Sequence, residues 1–460
     1  MPMLQISGSV QKYPARASVL AYAALIGAGA ILLALPFSHH PGQTAIGWLD
    51  ALFTSTSATC VTGLSVRSTE HAFSFWGQVV ILGLIQIGGV GIMTLTTFVV
   101  FQFGRQASLR SRVVLSESLG ADPGADFRWI LRNVLLFTAT AESIGALVLA
   151  VRNLFDQPLL EAVWHGIFHA ISAFCNAGFA LYDDNLTRYQ GDPLVNLTIT
   201  VLIIFGGLGF PVVLDIRRNW HGTWRERWDR WLVHTKLMLI GSGALVFGGT
   251  LLLSILEWDG VLKNMPIWQR PMVAFFHSVS ARTAGFNTVD LAAMTNASLF
   301  LLILLMLVGG GACSTAGGIK VSTMMVLVCQ ARAAFAGQAR LHLFRRTIAP
   351  QYVQRATVTA MLYVITVFAG LTVLLVVEQS HAPHLESASR FLDAFFEVAS
   401  ALGTVGLSMG ITPYLSAGGR LVVILLMFIG RLGPISVFAA LSRTEQDDRI
   451  EFPGESVLIG

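Results

Sequence analysis

The sequence predicts an all-α membrane protein with eight transmembrane helices, arranged as four helix–pore loop–helix repeats with pseudo-fourfold symmetry around one pore. Three observations support this fold class: an apolar composition, a motif that recurs four times, and a second motif at a nearly constant distance behind the first. Of the 460 residues, 54% are hydrophobic and only 12% are charged. Because about a quarter of the residues of a soluble protein are charged, this chain belongs in a bilayer.

The first repeated motif is a short stretch that begins with Phe and ends with Gly. In every copy the Phe lies ten residues before the Gly, and a Ser lies five or six residues before it. The copies occupy residues 53–63, 168–178, 275–285 and 396–406. Internal repetition of this kind identifies a chain built from four similar units.

The second motif is glycine-rich and follows the first by 25 to 29 residues. Its copies occupy residues 87–91, 205–209, 308–312 and 429–433. The central residue is Gly89, Gly207, Gly310 or, in the fourth copy, Arg431. Since equivalent residues of symmetric repeats lie at similar distances from the axis, all four are expected to face the space beneath the first motif.

Each repeat is predicted to contain a long helix, a shorter segment and a second long helix. The long helices, each able to cross ~30 Å of hydrocarbon, are expected at 17–37, 76–103, 129–152, 194–215, 232–256, 297–330, 356–378 and 420–442. The short segments are too short to span and are expected to enter the membrane and return, at 51–58, 162–174, 272–280 and 391–401. The repeats are then residues 17–120, 121–230, 231–350 and 351–445, between an N-terminal segment 1–16 and a tail 446–460.

Charge placement predicts the orientation of the chain. The net charge is +4, and Lys and Arg concentrate in the connections between repeats rather than within them. Basic loops between apolar spans indicate membrane topology rather than a nucleic-acid partner. Both termini are therefore expected to be cytoplasmic. The four cysteines lack metal-ligand spacing and are expected to be free thiols.

The ends of the four short segments are predicted to form a cation selectivity filter. Grouped around one axis, their backbone carbonyls would replace the hydration shell of a cation, and Gly permits the backbone angles that this requires. The alternative is that the glycines only allow close helix packing. The filter residues are Cys60, Val61, Thr62, Gly63, Cys175, Asn176, Ala177, Gly178, Arg282, Thr283, Ala284, Gly285, Gly403, Thr404, Val405 and Gly406.

A glycine-rich interruption of the sixth long helix is predicted to be a gate. Five glycines in ten residues disfavour a straight helix. Arg431 lies near the middle of the membrane and is expected to act as an electrostatic barrier to cations or to hold this gate. A packed kink without motion, or an ion pair between Arg431 and Glu142, are the alternatives. The gate residues are Gly309, Gly310, Gly311, Ala312, Cys313, Ser314, Thr315, Ala316, Gly317, Gly318 and Arg431.

Arg282 is a second unusual charge, three residues before the third filter glycine. Directed into a pore it would repel cations. It is therefore expected to point backward and pair with a carboxylate, with Glu397, Asp393 and Glu142 as the candidates.

Six stretches carry a resemblance to a known family: residues 57–64, 172–179, 282–290, 314–320, 403–407 and 430–433. They resemble the Trk/Ktr/HKT superfamily of cation transporters, and most closely the membrane subunit of Ktr-type potassium uptake systems. The resemblance implies a homodimer in the bacterial plasma membrane, a gating loop in the third unit, and a cytosolic ring of nucleotide-binding regulatory subunits of the RCK or KtrA type. Sodium often stimulates such transport.

The expected function is uptake of potassium, driven by the membrane potential and without a cofactor in this chain. All four filter positions are Gly, whereas Ser at the first accompanies sodium transport in plant-type relatives, which favours potassium. One alternative is a sodium-selective or poorly selective monovalent cation transporter of the same superfamily. The other is a membrane-embedded enzyme that uses His165, His169 and His277, although no carboxylates accompany them in a metal-site pattern.

Overall fold

The computed structural model describes residues 14–43, 45–106, 127–338, 340–379 and 384–434, which are mainly helical. Most of the predicted N-terminal segment, the connection 107–126 and the predicted tail 446–460 lie outside the described residues. The last predicted helix, 420–442, is described only as far as residue 434.

A succession of three helical segments, the middle one ending at a copy of the first motif, occurs four times in the described residues. The first two units contain α1 (Pro14–Ala34), α2 (Trp48–Thr59), α3 (Thr69–Ala72), α4 (Phe75–Gln106), α5 (Phe127–Asn153), α6 (Leu159–Cys175), α7 (Pro193–Leu208), α8 (Phe210–Arg218) and α9 (Trp224–Arg230). The other two contain α10 (Val233–Leu256), α11 (Gln269–Ser280), α12 (Asn296–Leu307), α13 (Val321–Phe335), α14 (Pro350–Gln379), α15 (His384–Gly403) and α16 (Ala417–Leu432). Four single-turn 3₁₀ helices and an antiparallel pair, β1 (His342–Leu343) with β2 (Arg346–Thr347), complete the described structure.

Side-chain caps begin the second long helix in three units. Asp192 accepts hydrogen bonds from the backbone amides of Leu194 and Val195 at the start of α7, which also has Pro193 in its first turn. Thr295 caps α12 and Ser416 caps α16 in the same way. Each cap satisfies backbone donors that a helix end leaves open, so the starting point of these helices is well determined.

Within the described residues, three helices are long and apolar enough to cross a membrane by themselves: residues Leu131–Asn153, Val233–Leu256 and Pro350–Glu378. A fourth span is possible if the bent pair α7 and α8 counts as one. The total of eight spans stays a prediction.

The predicted helix at 194–215 is divided into α7 and α8. The chain bends by 92° between α7 and α8. Gly209 at the bend has a φ of +90°, and Pro211 follows without an amide hydrogen to continue the ladder. A Cβ on Gly209 would overlap the carbonyl oxygen of Ala312, so the bend makes room for a neighbouring segment.

That neighbouring segment is the predicted interruption of the sixth long helix, and the structure confirms the interruption. Helices α12 and α13 are separated by residues 308–320, of which 309–318 are termed the interrupting loop. The amide of Gly309 donates to the carbonyl of Ile319 (2.9 Å), and the amide of Ile319 donates to Leu307 (3.1 Å). Since these bonds join its two ends, the loop leaves the helix and returns at nearly the same place.

The four helices that end at copies of the first motif are here termed re-entrant helices, after the sequence prediction; they are α2, α6, α11 and α15. Much of their surface is buried inside the protein. Four of their aromatic residues, Phe53, Phe168, Phe276 and Phe396, are at most 1% exposed. Many exposed apolar side chains lie on the long helices, such as Phe247 at 70%. Exposed apolar side chains on the outside suit contact with lipid.

A buried carboxylate joins the first and fourth units. Asp50, in the first turn of α2, is 6% exposed and accepts hydrogen bonds from Arg67 (2.9 Å) and from Arg420 of α16 (2.6 Å). Because Arg420 is 370 residues away in the chain, this cluster closes the arrangement of the four units.

We expect Asp50→Ala to destabilise the protein by about 2 kcal/mol or more, because it leaves two guanidinium groups without their buried partner. The measurement is the apparent melting temperature in detergent. Asp156→Ala is the matched control, since Asp156 pairs with Arg152 at a more exposed site (side chains 44% and 25% exposed) where an ion pair contributes little. Equal melting temperatures for both variants would contradict the proposed closing role of Asp50.

Candidate functional site

The segments that follow the four re-entrant helices share one backbone conformation. The residue two before each final glycine has a positive φ: Val61 (+56°), Asn176 (+60°), Thr283 (+85°) and Thr404 (+50°). The glycines Gly63, Gly178, Gly285 and Gly406 have φ values from +69° to +98°. A left-handed backbone is unfavourable for residues with a Cβ. Because this unfavourable conformation occurs at the same position in all four units, contacts with the surrounding structure must stabilise it.

The four glycines approach one another in a closed ring, termed the glycine ring. A Cβ built on Gly63 would lie 3.1 Å from the Cα of Gly178, and one on Gly178 would lie 3.0 Å from that of Gly285. Gly285 stands in the same relation to Gly406 (3.0 Å), and Gly406 to Gly63 (3.1 Å). Every side chain would collide with the next unit, so only glycine permits this approach of four backbones.

Serines of the re-entrant helices hold the four segments in two ways. The Oγ atoms of Ser57 and Ser400 accept hydrogen bonds from the amides of Gly63 (3.0 Å) and Gly406 (3.1 Å). In the other two units the hydroxyl donates instead to the carbonyl that follows the glycine, with Ser172 bonded to Phe179 (2.8 Å) and Ser280 to Phe286 (2.5 Å). This bonding explains the regular Ser-to-Gly spacing in the sequence, although the serines were not predicted as site residues.

The buried histidines act as a second set of braces. His169 accepts a hydrogen bond at Nε2 from the amide of Leu181 (3.2 Å), and its Nδ1 contacts the carbonyl of His165 (2.7 Å). His277 bonds in the same manner to the amide of Thr288 (3.4 Å) and to the carbonyl of Val273. With both nitrogens of His169 and His277 engaged, neither ring is free to bind a metal or to transfer a proton.

Four buried oxygen atoms beside the glycine ring have no hydrogen-bond partner in the described structure. They are Oγ1 of Thr62, Oδ1 of Asn176, Oγ1 of Thr283 and Oγ1 of Thr404. Buried polar atoms normally have a partner. Unpartnered oxygens in residues that adjoin the four glycines fit a ligand that accepts lone pairs, such as a cation with or without its water.

The interrupting loop lies against the glycine ring on the side where the re-entrant helices end. The Oγ1 atom of Thr315 donates to the carbonyl of Phe174 (3.2 Å) and accepts from Asn176 (3.2 Å), both in the second unit. Gly317 packs so closely on Thr404 of the fourth unit that an added Cβ would lie 3.1 Å from the threonine Cβ. The loop thus bridges units that are distant in sequence.

Arg431 holds the interrupting loop from a third direction. The side chain is 5% exposed, and its guanidinium donates to the carbonyl of Gly88 (2.7 Å) and to the carbonyl of Thr315. The alternative pairing with Glu142 is not observed, and Arg431 forms no ion pair within the described ranges. Arg431 therefore connects α16 and α4 to the loop through neutral oxygens.

The prediction that Arg282 pairs with a carboxylate is wrong. Its guanidinium donates to Oγ of Ser242 (3.2 Å) and to the carbonyl of Gly309 in the interrupting loop (3.1 Å). Glu397 instead accepts hydrogen bonds from the hydroxyls of Ser408 and Thr412, and no candidate carboxylate pairs with Arg282 in the residues that the structure describes. Ser242 lies on α10, the long helix that precedes the third re-entrant helix.

The second glycine motif has a packing role that the sequence did not reveal. Gly88, Gly206 and Gly430, each directly before the central residue, lie against the last carbonyls of the re-entrant helices. A Cβ on these residues would lie 2.8–3.0 Å from the carbonyl carbons of Thr59, Phe174 and Leu402. The motif thus allows the second long helices to touch the re-entrant helices. The central residues lie beside the first motif or the loop, with Gly89 against Cys175.

Comparisons with known proteins agree with this architecture. The TrkH family, described as a cation transport protein, matches residues 24–451. The chain is 39% identical over 434 residues to the Ktr system potassium uptake protein B of Bacillus subtilis, covering 94% of this chain and 93% of that protein. It is 37% identical over 447 residues to the protein of the same name in Vibrio alginolyticus, with 97% and 94% coverage.

Two further proteins extend the comparison. The potassium/sodium uptake protein NtpJ of Enterococcus hirae is 37% identical over 439 residues, covering 95% of each chain. The crystal structure of the potassium transporter TrkH from Vibrio parahaemolyticus matches with a TM-score of 0.71 over 93% of this chain and 84% of that one. At 20% identity, the similarity to this crystal structure concerns the fold alone. Taken with the glycine ring and the interrupting loop, these matches show that the chain belongs to the TrkH family of membrane cation transporters.

Proposed function

We propose that this protein takes up potassium across the bacterial plasma membrane through a selectivity filter at the glycine ring. The observation that carries the proposal is the fourfold recurrence of one left-handed backbone conformation around a ring that excludes side chains. Two of the relatives are named as potassium uptake proteins, which supports the choice of ion.

In the proposed filter, the backbone carbonyls of residues 60–63, 175–178, 282–285 and 403–406 coordinate the ion. Backbone oxygens can replace the hydration shell of potassium without a net charge that would trap the ion. The serines and histidines behind the segments keep these carbonyls in place. The unpartnered oxygens of Thr62, Asn176, Thr283 and Thr404 supply further ligands for the ion or its water.

The membrane potential is the proposed driving force. An inward-moving cation gains about 2.3 kcal/mol per 100 mV of inside-negative potential. The sequence has no nucleotide-hydrolysing motif. Any effect of ATP on transport is therefore assigned to a partner.

The interrupting loop and Arg431 form the proposed gate. The loop contacts the second and fourth units beside the filter, and Arg431 adds a positive charge at the same place. Together these features obstruct the path of a cation, so opening requires the loop to withdraw from Thr404 and Asn176. Its two joined ends allow such a movement without unwinding α12 or α13.

The proposed assembly is a homodimer controlled by a cytosolic ring of nucleotide-binding regulatory subunits, with sodium as an activator. The relatives named as parts of a Ktr system support a multi-component transporter. The four units divide as residues 17–120, 121–230, 231–350 and 351–445, and both termini face the cytoplasm in the proposed topology.

A second candidate is a transporter that carries sodium as well as potassium. The name of the Enterococcus hirae relative favours it. The first filter segment also differs from the others, since it has Val61 where they have Asn176, Thr283 or Thr404.

The filter assignment predicts that Gly63→Ser lowers the preference for potassium over sodium about tenfold or more. A side chain there would meet the second unit in a backbone of φ +98°, and strain of this kind costs about 1–3 kcal/mol. The measurement is rubidium uptake with sodium as competitor, in a potassium-uptake-deficient bacterial strain that expresses the chain and a regulatory partner.

Gly410→Ser is the matched control for this experiment. Gly410 also has a positive φ, +89°, but no atom lies within 4 Å of the position of an added Cβ. Unchanged discrimination in Gly63→Ser would contradict the filter assignment. A wild type that transports both ions equally would support the second candidate.

The gate assignment predicts that Arg431→Ala raises rubidium influx into proteoliposomes lacking the regulatory partner. Loss of a charged hydrogen bond to Thr315 weakens the closed loop by about 1.5–3 kcal/mol, which corresponds to roughly tenfold or more in the open population. Arg188→Ala, at a residue whose side chain is 45% exposed, is the control. Unaltered influx in correctly folded Arg431→Ala would show that Arg431 does not keep the pore closed.

A further inference from the structure

An acidic residue lies in the middle of the membrane, outside the proposed filter and gate. Glu142 is near the centre of the apolar span Leu131–Asn153 and is only 7% exposed. A carboxyl group at this depth is costly and usually has a function. Among the described residues it forms no ion pair, so a salt bridge does not account for it.

The contacts of Glu142 lead to the second filter segment. Its Oε2 accepts a hydrogen bond from Nε2 of Gln86 (3.0 Å), and Oε1 of Gln86 accepts one from the thiol of Cys175 (3.4 Å). The thiol also lies 3.9 Å from Oε1 of Glu142. The three side chains form a triangle directly behind residues 175–178.

Cys175 is confined on its other side by the second glycine motif. A Cβ on Gly89 would lie only 2.7 Å from Sγ of Cys175, so the thiol fits between Gly89 and the pair of Gln86 and Glu142. Cys175 is the last residue of α6, and the next residue, Asn176, has the left-handed conformation. A displacement of Cys175 would therefore rotate the peptide groups of the filter segment.

The third and fourth units support the corresponding residue differently. Arg282 is held by Ser242 and by the carbonyl of Gly309. Gly403 has no side chain and packs on the backbone of Met306. Of these three units, only the second has a carboxyl group in contact with the residue three before its filter glycine.

We propose that Glu142, together with Gln86, is a positioning residue for potassium selectivity. It holds the thiol of Cys175 and thereby sets the direction of the carbonyls in residues 175–178. Gln86 belongs to the first unit and Glu142 to the second, so their hydrogen bond also joins two units behind the filter. This inference rests on the proposed function of the glycine ring.

The test compares variants by rubidium uptake with sodium as competitor, at matched amounts of protein in the membrane. Glu142→Ala is expected to lower the discrimination against sodium about tenfold, because it removes the acceptor for Gln86. Glu142→Gln keeps a carbonyl oxygen for that bond and is expected to retain discrimination within about twofold. Thr140→Ala is the control, since Thr140 is exposed on the same helix and its hydroxyl bonds only to Leu136.

A double-mutant cycle tests whether Glu142 acts through the thiol. Cys175→Ala should reproduce the loss of discrimination, and the double variant should be no worse than either single variant because the two residues share one interaction. Additive losses would overturn the coupling. Unchanged discrimination in Glu142→Ala, or an equal loss in Glu142→Gln, would overturn the positioning role. A wild type without potassium preference would overturn the proposed function itself, and this inference with it.

Discussion

The close approach of four backbones at the glycine ring is the constraint on which the remaining structure depends. Each glycine lies where a Cβ would meet the next unit, so the ring exists only while all four re-entrant helices end at the same height. Serine hydroxyls and histidine rings set that height by bonding to the amide of the glycine or to amides and carbonyls that follow it. The stability of the ring therefore comes from the surrounding helices rather than from the segments themselves.

The same constraint explains the internal polarity of this membrane protein. The ends of the re-entrant helices leave backbone groups that hydrocarbon could not satisfy. The long helices enclose them, and Gly88, Gly206 and Gly430 allow those helices to touch the exposed carbonyls. Charged side chains in this interior are satisfied mainly by neutral oxygens. Arg282 and Arg431 both donate to carbonyls of the interrupting loop, so the two unusual charges contact the same segment, which is the proposed gate.

Similar units are used for different purposes around the ring. The second long helix is bent at Gly209 in the second unit and interrupted in the third, and the bend receives the loop, as the hydrogen bond from Phe210 to Cys313 shows (3.2 Å). The third residue before each glycine varies in the same way, from the Cys175 thiol to the Arg282 guanidinium. The proposed filter is thus formed by features that all four units share. The proposed gate and the side chains that hold it are formed by features in which the units differ.

The sequence by itself determined the fourfold pattern, the helical segments and the position of the interrupting loop, because these depend on local composition and on spacing along the chain. Gly63 and its counterparts could be recognised from the sequence because each unit needs a residue without a Cβ where it meets the next unit. Glycine therefore recurs at the same interval after the Phe of each unit. Only the tertiary structure decided the partners of Arg282, Arg431 and Glu142. Long side chains can reach several neighbours, and which oxygen lies within 3 Å depends on helix packing that spacing alone does not encode.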